Sequence, residues 1–189
     1  MKTILKKSLK TAAIALCLLS STMTFAQETM NTTSSETKNY DQGFRLGFGL
    51  SGGVPVNAEP YEFNIGGDVR LQYDLSTKYS LTFTTGFNNF FINGDDNDLG
   101  YIPVKGGFKA FVLKDQLYLL GEVGAAFAVT NDYDESSFLF SPGIGYANKY
   151  FDASLRYEHY TNFPKLNNDG TTGKGLGMIA LRLAYGFKI

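Results

Sequence analysis

Cysteine is almost absent, since Cys17 is the only one in 189 residues and falls within the first 26. A disulfide framework and a thiol nucleophile are both excluded for the remainder of the chain. Histidine is as scarce, with His159 alone, so imidazole acid–base chemistry has a single possible position. No uninterrupted apolar run approaches the roughly 18 residues of a membrane-spanning helix. An excess of positive charge is missing too. Of 17 basic residues, Lys2, Lys6, Lys7 and Lys10 lie in the opening segment, leaving 13 against 18 acidic, a net charge of −5. That balance lacks the basic footprint of a nucleic-acid binder, and glycine-rich phosphate loops and metal-ligand clusters are also missing. GLSGG, at residues 49–53, lies inside an alternating run, where glycine signals close packing and not a nucleotide cradle.

What is present begins with the opening, MKTILKKSLKTAAIALCLLSSTMTFAQ, in which four lysines precede an apolar run from Thr11 to Leu19 and a small-residue site ends at Ala26. This pattern predicts a secretory signal peptide over 1–26, cut before Gln27. Leu16 precedes Cys17 where a lipoprotein would carry a small residue, so lipidation is not expected. Residues 27–41, QETMNTTSSETKNYD, are polar and aperiodic and read as a flexible periplasmic leader. Residues 42–189 have the length of one domain and are rich in Gly, Phe and Tyr, which suits strands and turns.

Alternation governs that domain. In FDASLRYEHYTN one set is Phe151, Ala153, Leu155, Tyr157 and His159, and the other is Asp152, Ser154, Arg156, Glu158 and Tyr160. A period of two is a strand whose faces meet different surroundings. The same reading predicts strands at Gly43–Gly53, Tyr61–Leu75, Tyr79–Phe91, Tyr101–Val112, Gln116–Val129, Phe138–Ala147, Tyr150–Thr161 and Gly175–Ile189. The connections STK, LKD and NK are short enough for hairpins, whereas VPVNAEP, INGDDNDLG, TNDYDESS and NFPKLNNDGTTGK are long. Their alternation places the long loops at one end of an all-β, eight-stranded, antiparallel up-and-down barrel.

Two barrels share this pattern. A soluble, lipocalin-like barrel turns its apolar face inward, and a membrane barrel turns it toward lipid. Three features favour lipid outside. Aromatics gather at strand ends, with Tyr73, Tyr79, Tyr118, Tyr146, Tyr150 and Tyr185 toward the short turns and Phe90, Phe91, Tyr101, Phe138, Tyr160 and Phe163 toward the long loops, the expected place of two interfacial girdles. The polar face is spaced by glycine, as a narrow lumen requires. It also carries both charge signs at mid-strand, where they can pair. With its final strand MIALRLAYGFKI, the chain resembles the small outer-membrane β-barrels typified by the outer-membrane protein A transmembrane domain. That resemblance implies a monomeric transmembrane barrel in the cell outer membrane. Its partners would be membrane lipid and lipopolysaccharide, and a barrel assembly machinery that reads an aromatic near the C-terminus, here Phe187 followed by Lys188 and Ile189.

The lumen is then expected to hold Arg45, Arg70, Lys105, Lys109, Arg156 and Arg182 against Asp68, Glu122 and Glu158. Buried charges need partners, so these residues predict an ion-pair plug; the alternative is a narrow, weakly anion-preferring pore. No cofactor is expected. The acidic loops NGDDND, with Asp95, Asp96 and Asp98, and NDYDES offer oxygens for a divalent cation bridging to lipopolysaccharide phosphates, and their spacing matches no complete calcium loop. One enzymatic alternative stands beside the non-enzymatic reading. His159-Tyr160-Thr161-Asn162 is similar to the His-x-Ser-Asn segment of lipid A 3-O-deacylases. The resemblance implies an outer-leaflet esterase with His159 as base, Thr161 as nucleophile and Asn162 at the oxyanion, Asp169 being the one acid nearby to orient the imidazole. The other reading of His159 is an interfacial residue beside Tyr157 and Tyr160.

Overall fold

The computed structural model describes residues 43–56, 60–92, 98–113, 116–130, 136–166 and 171–189. The segments read as signal peptide and leader, and Asp95, Asp96 and Asp169, lie outside them.

Eight strands follow one another: β1 (Gly43–Val56), β2 (Tyr61–Asp74), β3 (Tyr79–Ile92), β4 (Leu99–Leu113), β5 (Leu117–Ala128), β6 (Ser136–Ala147), β7 (Phe151–Leu166) and β8 (Thr172–Lys188). Each pairs antiparallel with its sequence neighbour, and β1 pairs with β8, so the barrel is closed and no strand edge is free. The register can be followed around the wall. Gly43 pairs with Asp74, Asp74 with Ser80, Ser80 with Lys109 and Lys109 with Leu120. Leu120 pairs with Gly143, Gly143 with Arg156, Arg156 with Ala180, and Ala180 with Gly53. One circuit therefore climbs ten residues along β1, and for eight strands that stagger tilts each strand by about 40°.

Six of the eight strands run further than alternation suggested at the end bearing the long connections, while β2 starts at Tyr61 as expected and β5 ends at Ala128, one residue short. Strand bounds leave 57–60, 93–98, 129–135 and 167–171 between strands there, against 75–78, 114–116 and 148–150 at the other end. The largest change is in NFPKLNNDGTTGK, expected as a loop. A bulge between Tyr160 and Pro164 absorbs the break, after which Pro164 pairs with Lys174, Lys165 with Gly173 and Leu166 with Thr172. The bulge is fastened to β6, because the Asn162 amide donates to Ser137 Oγ at 2.9 Å and its side chain to the Ser136 carbonyl at 3.2 Å.

Polarity is inverted relative to a soluble protein. Leu50 is 72% exposed on the outer face, with Ile65, Phe83, Val123, Ile144 and Ile179 also exposed, while Arg182 is 1% exposed within. Small residues make the interior possible. A Cβ at Gly49 would lie 2.7 Å from three atoms of the Arg182 guanidinium, and one at Gly107 would lie 2.7 Å from Glu122 Cγ.

Candidate functional site

The interior is stacked in three layers. At the short-turn mouth Arg45 Nε donates to Asp74 Oδ2 at 3.0 Å, and Gln72 and Ser80 both donate to Asp74 Oδ1 at 2.7 Å. The second guanidinium arm of Arg45 reaches the Lys149 carbonyl at 3.2 Å, tying the β6–β7 turn to the mouth.

Above this, Arg182 Nε donates to Asp68 Oδ2 at 2.8 Å, and Arg182 Nη1 lies 3.7 Å from Asp152 Oδ1. Asp152 also pairs with Lys109 and accepts from Tyr118 Oη at 2.7 Å, and Lys109 Nζ sits 4.3 Å from the Tyr118 ring centre. Beside this group, Glu122 accepts from Arg70 Nη2 at 2.7 Å, from Thr84 Oγ1 at 3.2 Å and from Arg156 Nη1 at 3.3 Å, with Lys105 Nζ at 3.5 Å. Lys105 and Arg156 bridge onward to Glu158, at 2.9 and 3.5 Å. Each of these charges has at least one partner on another strand, as far as 114 residues away for Arg182 and Asp68. That is how a low-dielectric interior tolerates them.

The third layer is aromatic. Phe90, Tyr101, Tyr160 and Phe163 are wholly buried with Leu139, Leu176 and Met178. Tyr160 stacks on Phe163 at 5.1 Å and meets Tyr101 edge-on at 5.3 Å, and Tyr101 stacks on Phe90 at 5.3 Å. Their hydroxyls are joined to the charges below. Tyr160 donates to Glu158 at 2.6 Å, so Tyr101, 2.6 Å from Tyr160, donates in turn, and accepts from Asn64 Nδ2 at 3.4 Å.

Several sequence expectations are corrected here. Phe90, Tyr101, Tyr160 and Phe163 do not belong to the girdle at the long-loop end, nor Tyr118 to the other; all five point inward. Parity carried the signal for four of them, since Tyr101 shares a face with Lys105, Tyr118 with Glu122, Tyr160 with Glu158 and Phe90 with Thr84. The tendency of aromatics to sit at interfaces obscured it, and Phe163 reaches the interior only because the bulge resets parity. Asp74 and Asp152 are interior acids absent from the expected set. With them the six cations face five carboxylates, which removes most of the positive surplus on which the anion-preferring pore rested.

His159 lies on the outer face, half-buried between Phe140, 5.1 Å away, and Tyr157 at 6.3 Å, and it pairs across to Gly177. The Thr161 hydroxyl is turned to the Phe138 carbonyl at 3.4 Å. Among the described residues no hydrogen bond joins His159 to Thr161, and Asn162 is engaged with Ser136. Asp98 is a loop anchor, accepting from Asn89 Nδ2 at 3.0 Å and the Ile92 amide at 3.2 Å. Among the described residues no group of three His, Cys, Asp or Glu converges as a metal site.

No protein-family model and no curated protein sequence matches the chain. Solved structures do. The N-terminal β-barrel domain of Pseudomonas aeruginosa OprF aligns over 78% of this chain and 100% of its own, with a TM-score of 0.53 and 12% identity. Neisserial surface protein A aligns over 78% of this chain and 97% of its own, with a TM-score of 0.50 and 11% identity. At such identity the likeness is one of architecture: the chain has the fold of the small eight-stranded outer-membrane β-barrels.

Proposed function

We propose that the protein is a non-enzymatic barrel of a Gram-negative outer membrane, closed to ions, which serves envelope integrity or surface interaction through its loop-bearing rim. The observation that carries this reading is the inverted polarity of the wall, with Leu50 open to the outside and the Arg182–Asp68 pair shut inside. Lipid is the surrounding that suits such a surface. The strands, 12 to 17 residues long, exceed the roughly 9–11 that a tilted strand needs to span a bilayer.

Two successive obstructions support a closed lumen. An ion passing inward would meet the packed rings of Tyr101 and Tyr160, then the carboxylates and guanidiniums around Glu122. Eight strands leave an interior that side chains alone can fill. Lipopolysaccharide is the natural neighbour of the loop-bearing rim, a barrel assembly machinery its insertion partner, and a monomer its state, since the β1–β8 closure leaves no edge for another chain.

Cell fractionation and planar-bilayer recording test this together. The expected result is extraction only with detergent, heat-modifiable migration and no conductance from the unmodified barrel. Release without detergent would overturn the membrane placement, and steady channels would overturn the closed lumen.

A further inference from the structure

The outer wall carries an apolar crevice of about 360 Å³ where β7, β8 and β1 meet. Its sides are Leu50, Leu183 and Phe151, with Phe48 and Tyr185 toward the short-turn end, and its floor is the backbone of the cross-strand pair Gly49–Ala184. Gly49 has no side chain and the Ala184 methyl is buried on the lumen side, so the wall is locally thin. The crevice is shallow and open along the wall, with room for a chain laid against it and not for an enclosed molecule.

A cation stands over its lower end. Tyr185 stacks on Tyr150, with ring centres 5.9 Å apart and planes at 9°, and Lys149 Nζ lies 5.2 Å from the Tyr150 ring. The turn that presents Lys149 is fixed. Asn148 Oδ1 accepts from the Tyr150 and Phe151 amides at 3.0 and 2.8 Å, and the Lys149 carbonyl accepts from Arg45. An apolar slot, two stacked phenols at its mouth and an exposed ammonium beyond them match the parts of one ligand in order: acyl chain, glycerol esters, phosphate.

We infer that this crevice binds one anionic glycerophospholipid from the periplasmic leaflet, its acyl chain against Leu50 and Leu183 and its phosphate at Lys149. The inference rests on the membrane placement proposed above. An interfacial lysine favours an anionic over a zwitterionic headgroup, and the tyrosines fit the ester region.

The test is native mass spectrometry of the barrel taken from vesicles holding equal phosphatidylglycerol and phosphatidylcholine of the same chains, with insertion checked by heat-modifiable migration. One retained phosphatidylglycerol is expected. Lys149→Glu should insert normally and lose the headgroup preference by about tenfold, and Leu183→Trp should insert and retain neither lipid. Equal retention of the two lipids by the inserted barrel, or an unchanged preference in Lys149→Glu, would overturn the inference and leave the membrane placement intact. Failure of the unmodified barrel to insert would overturn both.

Discussion

At Gly49 the lumen has no room for a methyl group, because the guanidinium that would meet it is held by Asp68 on one side and Asp152 on the other. Gly49→Ala is expected to lower stability by about 1–3 kcal/mol, the usual cost of overpacking, read as a shift of the urea midpoint in vesicles. An unchanged midpoint would mean that Arg182 yields without cost. Glu122→Gln should cost more, about 3–5 kcal/mol, since Arg70, Lys105 and Arg156 all lose the charge they share. A stability loss under 1 kcal/mol in the same assay would contradict the shared-charge account. His159→Ala is expected to leave folding intact and the acyl content of lipid A unchanged by mass spectrometry, as the Thr161 hydroxyl is turned to a carbonyl. Loss of an acyl chain that depends on His159 would make the protein an esterase. At this scale parity made the interior face readable: Asp152 and Tyr160 stand in the same alternate set as Arg156. Pairing was not readable, because Arg182 and Asp68 are 114 residues apart and Arg70 and Glu122 are 52 apart. Only the stagger of the closed wall decides which side chains meet.

Strands in a closed barrel have no edge on which proline is harmless. Four occur nonetheless, Pro55, Pro103, Pro142 and Pro164, and at Pro103 and Pro142 a ladder is interrupted. The β3–β4 ladder lapses between Thr85–Val104 and Asn88–Tyr101, around Pro103, and the β6–β7 ladder between Phe140–His159 and Gly143–Arg156, around Pro142. Pro142 lies on the exposed outer face, where an unpaired carbonyl opposite it would face lipid, and such a group costs more in hydrocarbon than in water. Pro142→Ala should therefore stabilise the barrel, by about 1 kcal/mol, and the new amide at position 142 should exchange slowly by NMR. Rapid exchange there would show that the gap has another cause. The existence and order of all eight strands were legible from alternation, and their outer limits were not. In Asn162-Phe163-Pro164 the period breaks and a proline follows, which reads as the end of a strand. A bulge held by Ser136 and Ser137 carries β7 on instead. Its anchors lie on another strand, out of reach of a local pattern.

The whole molecule differs from a soluble barrel in one property, the side on which its apolar residues stand, and one substitution can ask about it directly. Leu50 lies midway along β1, opposite Gly67 on one neighbour and Leu183 on the other, with 72% of its surface free. In a water-soluble protein a leucine so exposed could become arginine with a change within about 0.5 kcal/mol. In a bilayer the same arginine stands in hydrocarbon, and the cost rises to about 2–4 kcal/mol near the midplane, falling to about 0–1 at the interfaces. Leu50→Arg is therefore expected to lower the free energy of unfolding from vesicles by that larger amount. Val56→Arg, placed at the loop-bearing end of the same strand and also exposed, should cost little. The pair separates depth from side-chain chemistry, since the introduced arginine and the strand are shared and both positions are exposed, while height differs. A gradient from Leu50 to Val56 would fix the wall across the membrane with the mid-strand residues at its centre. Equal and small costs at both would place the barrel in water, and the interior charges would then have to be explained without lipid.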